Sequence, residues 1–205
     1  MNTKFHVILG GLITAALITA APAVYAQTAK TGFRSEPDKS MEAAHEAFIN
    51  GEKDKAAADI EKAADWVKKQ GDRVGEDSKA GMKKAGEELD KLGEGVKKGS
   101  VKSGDEMKKT FAKVDHQIAT CWHKTAAESK KAGKDSTTDL RKAGAALQNS
   151  AKWSGHQLSE GARSTVAALR RAGKATGEGT KAGAEQADKW FKSIGQGIED
   201  LGKKL

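Results

Sequence analysis

The chain has 205 residues with a net charge of +8; 31% of its residues are charged and 5% are aromatic. Its one cysteine, Cys121, excludes an internal disulfide framework. No stretch of useful length alternates apolar and polar residues with a period of two, so the sequence predicts an all-α protein without a sheet.

Residues 1–26 have the pattern of a secretory signal peptide. Lys4 supplies the positive start, an apolar run extends from Val7 to Ala20, and Val24-Tyr25-Ala26 is a small-residue cleavage site. The apolar run is shorter than the roughly 20 residues that a membrane span needs, which favours cleavage after Ala26 over an uncleaved anchor. We therefore expect a periplasmic or secreted protein. The basic excess would otherwise suggest a nucleic-acid partner, but export across the membrane argues against one.

After the signal peptide, helical periodicity of apolar residues begins at Ser40. Residues 27–39 lack periodicity and are interpreted as a flexible leader. Residues 40–70 carry two short apolar stripes separated by Asn50-Gly51, a pattern that predicts a helical hairpin. Residues 71–102 are rich in glycine, and each interior glycine weakens a helix by about 1 kcal/mol. A three-four stripe still predicts a weaker helix over about 76–98; it consists of Met82, Ala85, Leu89, Leu92 and Val96.

Residues 103–172 predict an antiparallel pair of long helices. Ser103 and Glu106 form a capping-box pattern at the start of the first, which extends to about Ala132. Ser136 and Asp139 repeat this pattern at the start of the second. Because about three residues join the two helices, they must be antiparallel neighbours.

The second helix of this pair contains an eleven-residue repeat, which begins at Leu140, Ala151 and Ala162. Eleven residues in three turns are close to the natural helical period, so the pattern predicts one continuous helix to about Arg171. Glycines at 133, 144 and 155 keep the same spacing, and we expect a neighbouring helix to approach closely there. The small-residue face of the repeat is expected to receive the 103–132 helix.

The last segments are a break and an amphipathic helix. Residues 173–183 are interpreted as a hinge, and residues 184–205 as the most amphipathic helix of the chain. Its apolar face is the candidate surface for a membrane or partner contact and consists of Trp190, Phe191, Ile194, Ile198 and Leu201. Together the elements predict an elongated antiparallel bundle of about four to six amphipathic helices.

Two histidines and the cysteine are the candidate metal ligands. His116 and His123 lie seven residues apart on one predicted helix, almost opposite its apolar stripe, and Cys121 lies two residues from the second imidazole. A bundle can gather such ligands from facing helices around a transition metal or haem. The spacing is not that of a ready chelate, so the first expectation is no cofactor, and a metal or haem site is the alternative. No nucleophile motif or phosphate loop is present, which favours a protein without enzymatic activity.

Lysine- and alanine-rich eleven-residue helical repeats mark a resemblance to known families. KAGAALQNSAK, WSGHQLSEGARS and the KAG triplets ending at residues 81, 86, 133, 144 and 183 resemble repeats of exchangeable apolipoproteins and group 3 late-embryogenesis-abundant proteins. The resemblance implies amphipathic helices that act on lipid or client surfaces. Tryptophan, histidine and cysteine are foreign to the second family, and glycine replaces the prolines of the first. These departures favour a packed bundle.

The sequence therefore predicts a protein that acts by contact, as an envelope-stress, scaffold or chaperone-like component. A client protein or an anionic membrane surface is the expected partner, since the chain has a basic excess and an amphipathic C-terminal helix. A homodimer bridged through Cys121 is expected if the thiol is exposed.

Overall fold

The computed structural model describes residues 36–172 and 181–205, with side chains undescribed at 181–184. The predicted signal peptide, residues 27–35 of the predicted leader and residues 173–180 of the predicted hinge lie outside the described residues. Within the described ranges the fold is all-α, as predicted, and has no strand. The helices are α1 (Asp38–Ile49), α2 (Lys53–Gln70), α3 (Glu76–Lys97), α4 (Gly104–Lys131), α5 (Thr137–Ser154), α6 (Glu160–Ala172) and α7 (Lys181–Gly202), with a short 3-10 turn at Gly71–Arg73.

The capping signal at the start of α4 is confirmed. The hydroxyl of Ser103 accepts a hydrogen bond from the backbone N–H of Glu106 at 3.2 Å. The Glu106 carboxylate accepts one from the N–H of Lys102 at 3.0 Å. Two N–H groups that the helix cannot satisfy internally are thereby paired, which stabilises the first turn.

The capping box predicted for Ser136 and Asp139 is wrong. Ser136 makes no side-chain cap, and the carboxylate of Asp135 instead accepts from the N–H of Thr137 at 2.8 Å. Asp139 accepts from the Ser129 hydroxyl at 3.0 Å. This bond ties the start of α5 to the end of α4, so Asp139 joins two helices instead of capping one.

The predicted continuous helix over 136–171 is divided into α5 and α6. Gly155 follows α5 with φ +71°, a left-handed conformation that ends a helix, and its N–H donates to the carbonyl of Lys152. α6 begins at Glu160 and packs back against α5. The apolar stripe is nevertheless buried on both sides of the break, because the eleven-residue phase is retained; its buried members are Leu140, Ala143, Leu147, Ala151, Leu158, Ala162, Thr165 and Leu169.

The three glycines of the repeat have different roles. At Gly144 a Cβ atom would lie 3.2 Å from Val166 and 3.4 Å from Ile194, so close approach of neighbouring helices is confirmed there. At Gly133 and Gly155 a Cβ atom would meet nothing within 4 Å, and both residues have positive φ. The expectation of close approach is wrong at these two positions, where glycine ends a helix.

α4 is the central helix and contacts α1, α3, α5 and α7. Its neighbours α3 and α5 run antiparallel to it. The Ser78 hydroxyl donates to the Cys121 carbonyl at 2.9 Å, and the buried Ser150 hydroxyl donates to the Ala112 carbonyl at 2.7 Å. One apolar core surrounds α4, with Phe111 and Trp122 among its fully buried side chains. In the described ranges, no helix combines the length and apolarity that a membrane span requires.

Candidate functional site

Two groups of residues that the sequence singled out separately lie on opposite sides of one helix contact. His116 and His123 project from α4, and the predicted contact residues lie on α7. We call this contact the α4–α7 seam and define it by His116 and His123 on α4 and by Phe191, Ile198 and the glycines between and after them on α7.

Both imidazoles of the seam bind main-chain carbonyls of α7. His123 Nε2 lies 3.0 Å from the Phe191 carbonyl oxygen, and His116 Nε2 lies 2.8 Å from that of Ile198. Because a carbonyl oxygen only accepts, each Nε2 carries a hydrogen and donates it. The histidines are seven residues apart and so are the carbonyls, in the reverse order, so the two helices are antiparallel and share one register.

Glycines make room for the two rings. Gly195 and Gly202 each follow an accepting carbonyl by four residues, the position of its helical hydrogen-bond partner. A Cβ atom at Gly195 would lie 3.0 Å from Cε1 of His123, and one at Gly202 would lie 2.9 Å from Nε2 of His116. A longer side chain at either position would displace the ring, so the histidine pair requires this glycine pair.

The apolar face of α7 is turned toward the core, contrary to its predicted availability to a membrane or partner. Ile194, Ile198 and Leu201 are 0%, 8% and 2% exposed, and Trp190 and Phe191 are half-buried. The Phe191 ring stacks on His123 with 4.1 Å between ring centroids. In this packed state the face stabilises the bundle, because removing its five apolar side chains from water is favourable in free energy.

Cys121 faces α3, away from the seam. Its thiol is 1% exposed and lies 3.5 Å from the carbonyl of Ser78, to which it donates. Burial raises the pKa of this thiol. The exposed thiol on which the homodimer prediction depended is not found, and a bridge through Cys121 would require α3 and α4 to separate.

The candidate metal ligands do not converge. His116 and His123 are bound to α7 carbonyls while Cys121 contacts α3, so the thiol faces a different helix from the two imidazoles. Of the other histidines, His45 lies beside Trp153 and His156 is exposed. Across the part of the chain that the structure describes, no group of three or more His, Cys, Asp or Glu residues could hold a metal ion. In this arrangement the three residues form no common site for a transition metal, and they give haem no facing ligand pair.

The burial of His123 makes the seam sensitive to acid. Burial lowers the pKa of His123 below its usual 6.5, and the hydrogen bond to Phe191 partly raises it. His123 therefore binds a second imidazole proton more weakly when α7 is docked against α4 than when α7 is released from it. The contribution of neutral His123 to docking is therefore fully present above about pH 6.5 and is lost as the pH falls below that value.

We expect acid to release α7, measured by hydrogen exchange. Protection factors of the α7 amides, corrected for intrinsic exchange, should fall between about pH 7 and about pH 5. In His123→Gln the fall should be much smaller, since a glutamine amide donates to the same carbonyl without titrating. His156→Gln is the matched control on an exposed histidine and should behave as the wild type. An equal fall in both variants would show that His123 does not control docking.

Comparison with known protein families, with curated proteins and with solved structures finds no significant match to this chain.

Proposed function

We propose that this chain is a non-enzymatic periplasmic or secreted protein that acts by contact, and that α7 is its contact element. The observation that supports this best is the seam, where two histidines, one of them the acid-sensitive His123, attach the helix that the sequence predicts to be the most amphipathic. Release of the seam would turn the apolar face of α7 outward. The partner we propose is an anionic membrane surface.

Release is required because the packed bundle offers little apolar surface. Among the described residues, Ile49 and Leu205 are the exposed large apolar side chains. Two scattered residues do not form a lipid-binding face. The released face of α7 would provide five apolar side chains. They include Trp190 and Phe191, whose rings suit the boundary between headgroups and acyl chains. A lipid surface can cover this face as α4, α5 and α6 do in the docked state, so the two states can be close in free energy.

Charge favours an anionic surface over a neutral one. The chain as a whole carries a net charge of +8. On α7 the exposed lysines 189, 192, 203 and 204 accompany the apolar face, together with the acids Glu185, Asp188, Glu199 and Asp200, so the basic excess belongs to the whole chain. Each basic residue near an anionic surface contributes about 1 kcal/mol at low ionic strength. Acid would act in the same direction, since it weakens the seam and adds positive charge.

The other partners and cofactors predicted from the sequence have less support. A client protein could occupy the same released face, but charge does not favour it over anionic lipid. A disulfide dimer through Cys121 conflicts with the burial of the thiol. Haem has no observation in its favour, because both seam imidazoles already bind carbonyls.

Vesicle binding tests the proposal. We expect the full chain to sediment with phosphatidylglycerol vesicles more strongly at about pH 5 than at about pH 7, and weakly with phosphatidylcholine alone. Trp190→Ala should weaken the acid-dependent binding about tenfold, because it removes an interfacial anchor. Trp153→Ala, a half-buried tryptophan on α5, is the matched control and should bind as the wild type. Binding that is absent at both pH values, or equal for the two lipids, would refute a role at anionic membranes.

A further inference from the structure

A cavity of about 200 Å³ lies where the start of α1 and the end of α2 meet α4, α5 and α6. Its walls are mainly apolar and include Trp66, Ile118, Trp122, Val166 and Leu169. No α7 residue is among the described residues that line it, so the cavity is a separate site from the seam. A dry engineered cavity of about 150 Å³ is known to hold benzene, so this volume suits one small ring.

Two buried carboxyl groups line the same cavity, and one oxygen of each lacks a hydrogen-bond donor. Asp115 is 1% exposed and Asp38 is 8% exposed. Among the described residues, Asp115 Oδ2 and Asp38 Oδ1 have no hydrogen-bond partner. A buried acceptor without a donor destabilises a fold by about 1–3 kcal/mol, and by more when it is charged. The cavity thus combines an apolar body with a pair of unsatisfied acceptors.

The basic side chains around the cavity are engaged with other groups. Lys142 Nζ lies 3.6 Å from the centroid of the Trp122 ring. The guanidinium of Arg170 donates to the Gln148 side chain, and Arg141 also has a partner. Arg170 Nε is one remaining donor without a partner among the described atoms. Unsatisfied acceptors therefore outnumber unsatisfied donors, which favours an occupant that donates hydrogen bonds.

We propose that this cavity binds a small apolar ammonium ion. Its N–H groups donate to the carboxyl groups of Asp38 and Asp115, and its apolar body packs against Ile118, Val166 and the Trp122 ring. The ammonium supplies the donors that these oxygens lack, and the proton that Asp115 retains in the empty cavity passes to solvent when the ammonium binds. A single ring with a short amine-bearing arm matches both the volume and the one-sided polarity of the cavity.

Benzylammonium is the probe that tests this assignment by titration calorimetry on the full chain. We expect it to bind at least about tenfold more tightly than benzyl alcohol or benzoate, which share its ring and differ in charge. Asp115→Asn should weaken benzylammonium binding about tenfold or more, since it removes one acceptor. Asp65→Asn, on the exposed face of α2, is the matched control and should bind as the wild type.

A second variant separates loss of the site from loss of the fold. Ala146→Phe places a ring in the cavity and leaves both carboxyl groups in place. We expect it to abolish binding while helicity measured by circular dichroism is retained. Preference for benzoate would assign the cavity to an anion at Arg170 and overturn the proposal. Equal binding of benzyl alcohol, binding unaffected by Asp115→Asn, or no binding of benzylammonium to the wild type would also overturn it.

Discussion

Asp115→Asn should make the protein more stable at neutral and alkaline pH. Burial raises the pKa of Asp115 well above its usual 3.8, and the neighbouring Asp38 raises it further. The native state therefore retains a proton that the unfolded chain releases near pH 4. Keeping that proton costs about 1.4 kcal/mol for each pH unit above the unfolded pKa. The asparagine variant avoids this cost, so its gain in stability should be near zero below about pH 4 and should grow as the pH rises above that value.

Asp38→Asn should also increase stability, but with a different dependence on pH. Burial raises the pKa of Asp38 to about 7; Glu42 and Glu36 raise it further, while a hydrogen bond from Asn149 and the charge of Lys152 lower it. The stability difference from wild type should therefore grow from about pH 4 and level off near pH 7, where native Asp38 ionises. Asp38 also lies in the first turn of α1, where a negative charge is favourable, so the net gain should be smaller by about 0.3–1 kcal/mol.

Urea unfolding across this pH range measures both differences. Asp65→Asn is the control, because its carboxylate is exposed on α2. A loss of stability in Asp115→Asn at every pH would mean that the Asp115 carboxyl has a hydrogen-bond partner in the fold. Its burial would then not destabilise the native state. A gain would show that two acids destabilise the apoprotein, as is typical of groups retained for a ligand.

Local signals explain why most helices could be predicted from the sequence. Helical periodicity marks the buried face wherever a helix forms, and the predicted range 76–98 agrees with α3 at Glu76–Lys97. Ser103 is followed by a glutamate three residues later, and this motif acts within one turn. Such information is contained in a few neighbouring residues, so tertiary contacts are not needed to read it.

The break after α5 could not be predicted from the same periodicity. Leu158 and Ala162 keep their phase across the break, so the apolar pattern is the same for one helix or two. The eleven-residue spacing of Gly155 from Gly144 predicts the same close packing for both, but only Gly144 packs against Val166 and Ile194. One residue type serves both close packing and a left-handed turn, and the choice depends on which neighbours are present.

The seam and the carboxyl pair depend on contacts between distant segments. Hydrogen bonds from His116 and His123 end on main-chain carbonyls, which leave no side-chain signature on α7. The one sequence signal of the seam on α7 is the seven-residue spacing of Gly195 and Gly202, which matches that of the two histidines. Asp38 fell in the segment predicted to be a flexible leader, and Asp115 adjoins Val114 within a buried stripe, where an acid is unusual. That anomaly could have identified the second acid but not its partner.

Gly197→Leu should detach α7 from the bundle. A Cβ atom at Gly197 would lie 2.8 Å from the Ala162 Cβ atom on α6 and 2.9 Å from Cδ2 of Leu147 on α5. Both neighbours belong to the core and are fully buried, so neither has free space to move into. Overpacking of this kind costs about 1–3 kcal/mol even when the core relaxes. Moving α7 outward avoids the clash, at the cost of exposing Ile194 and Leu201.

Hydrogen exchange at neutral pH should show this release as a loss of protection in α7 by about tenfold or more, with α4 still protected. Gln196→Leu is the matched control, since it adds the same side chain one residue earlier on the exposed side and loses one bond to Asp200. Protection retained in Gly197→Leu would show that the core repacks around the new side chain. If α7 is the contact element, Gly197→Leu should also bind anionic vesicles at about pH 7 more strongly than the wild type does at that pH, because the substitution replaces protonation as the cause of release.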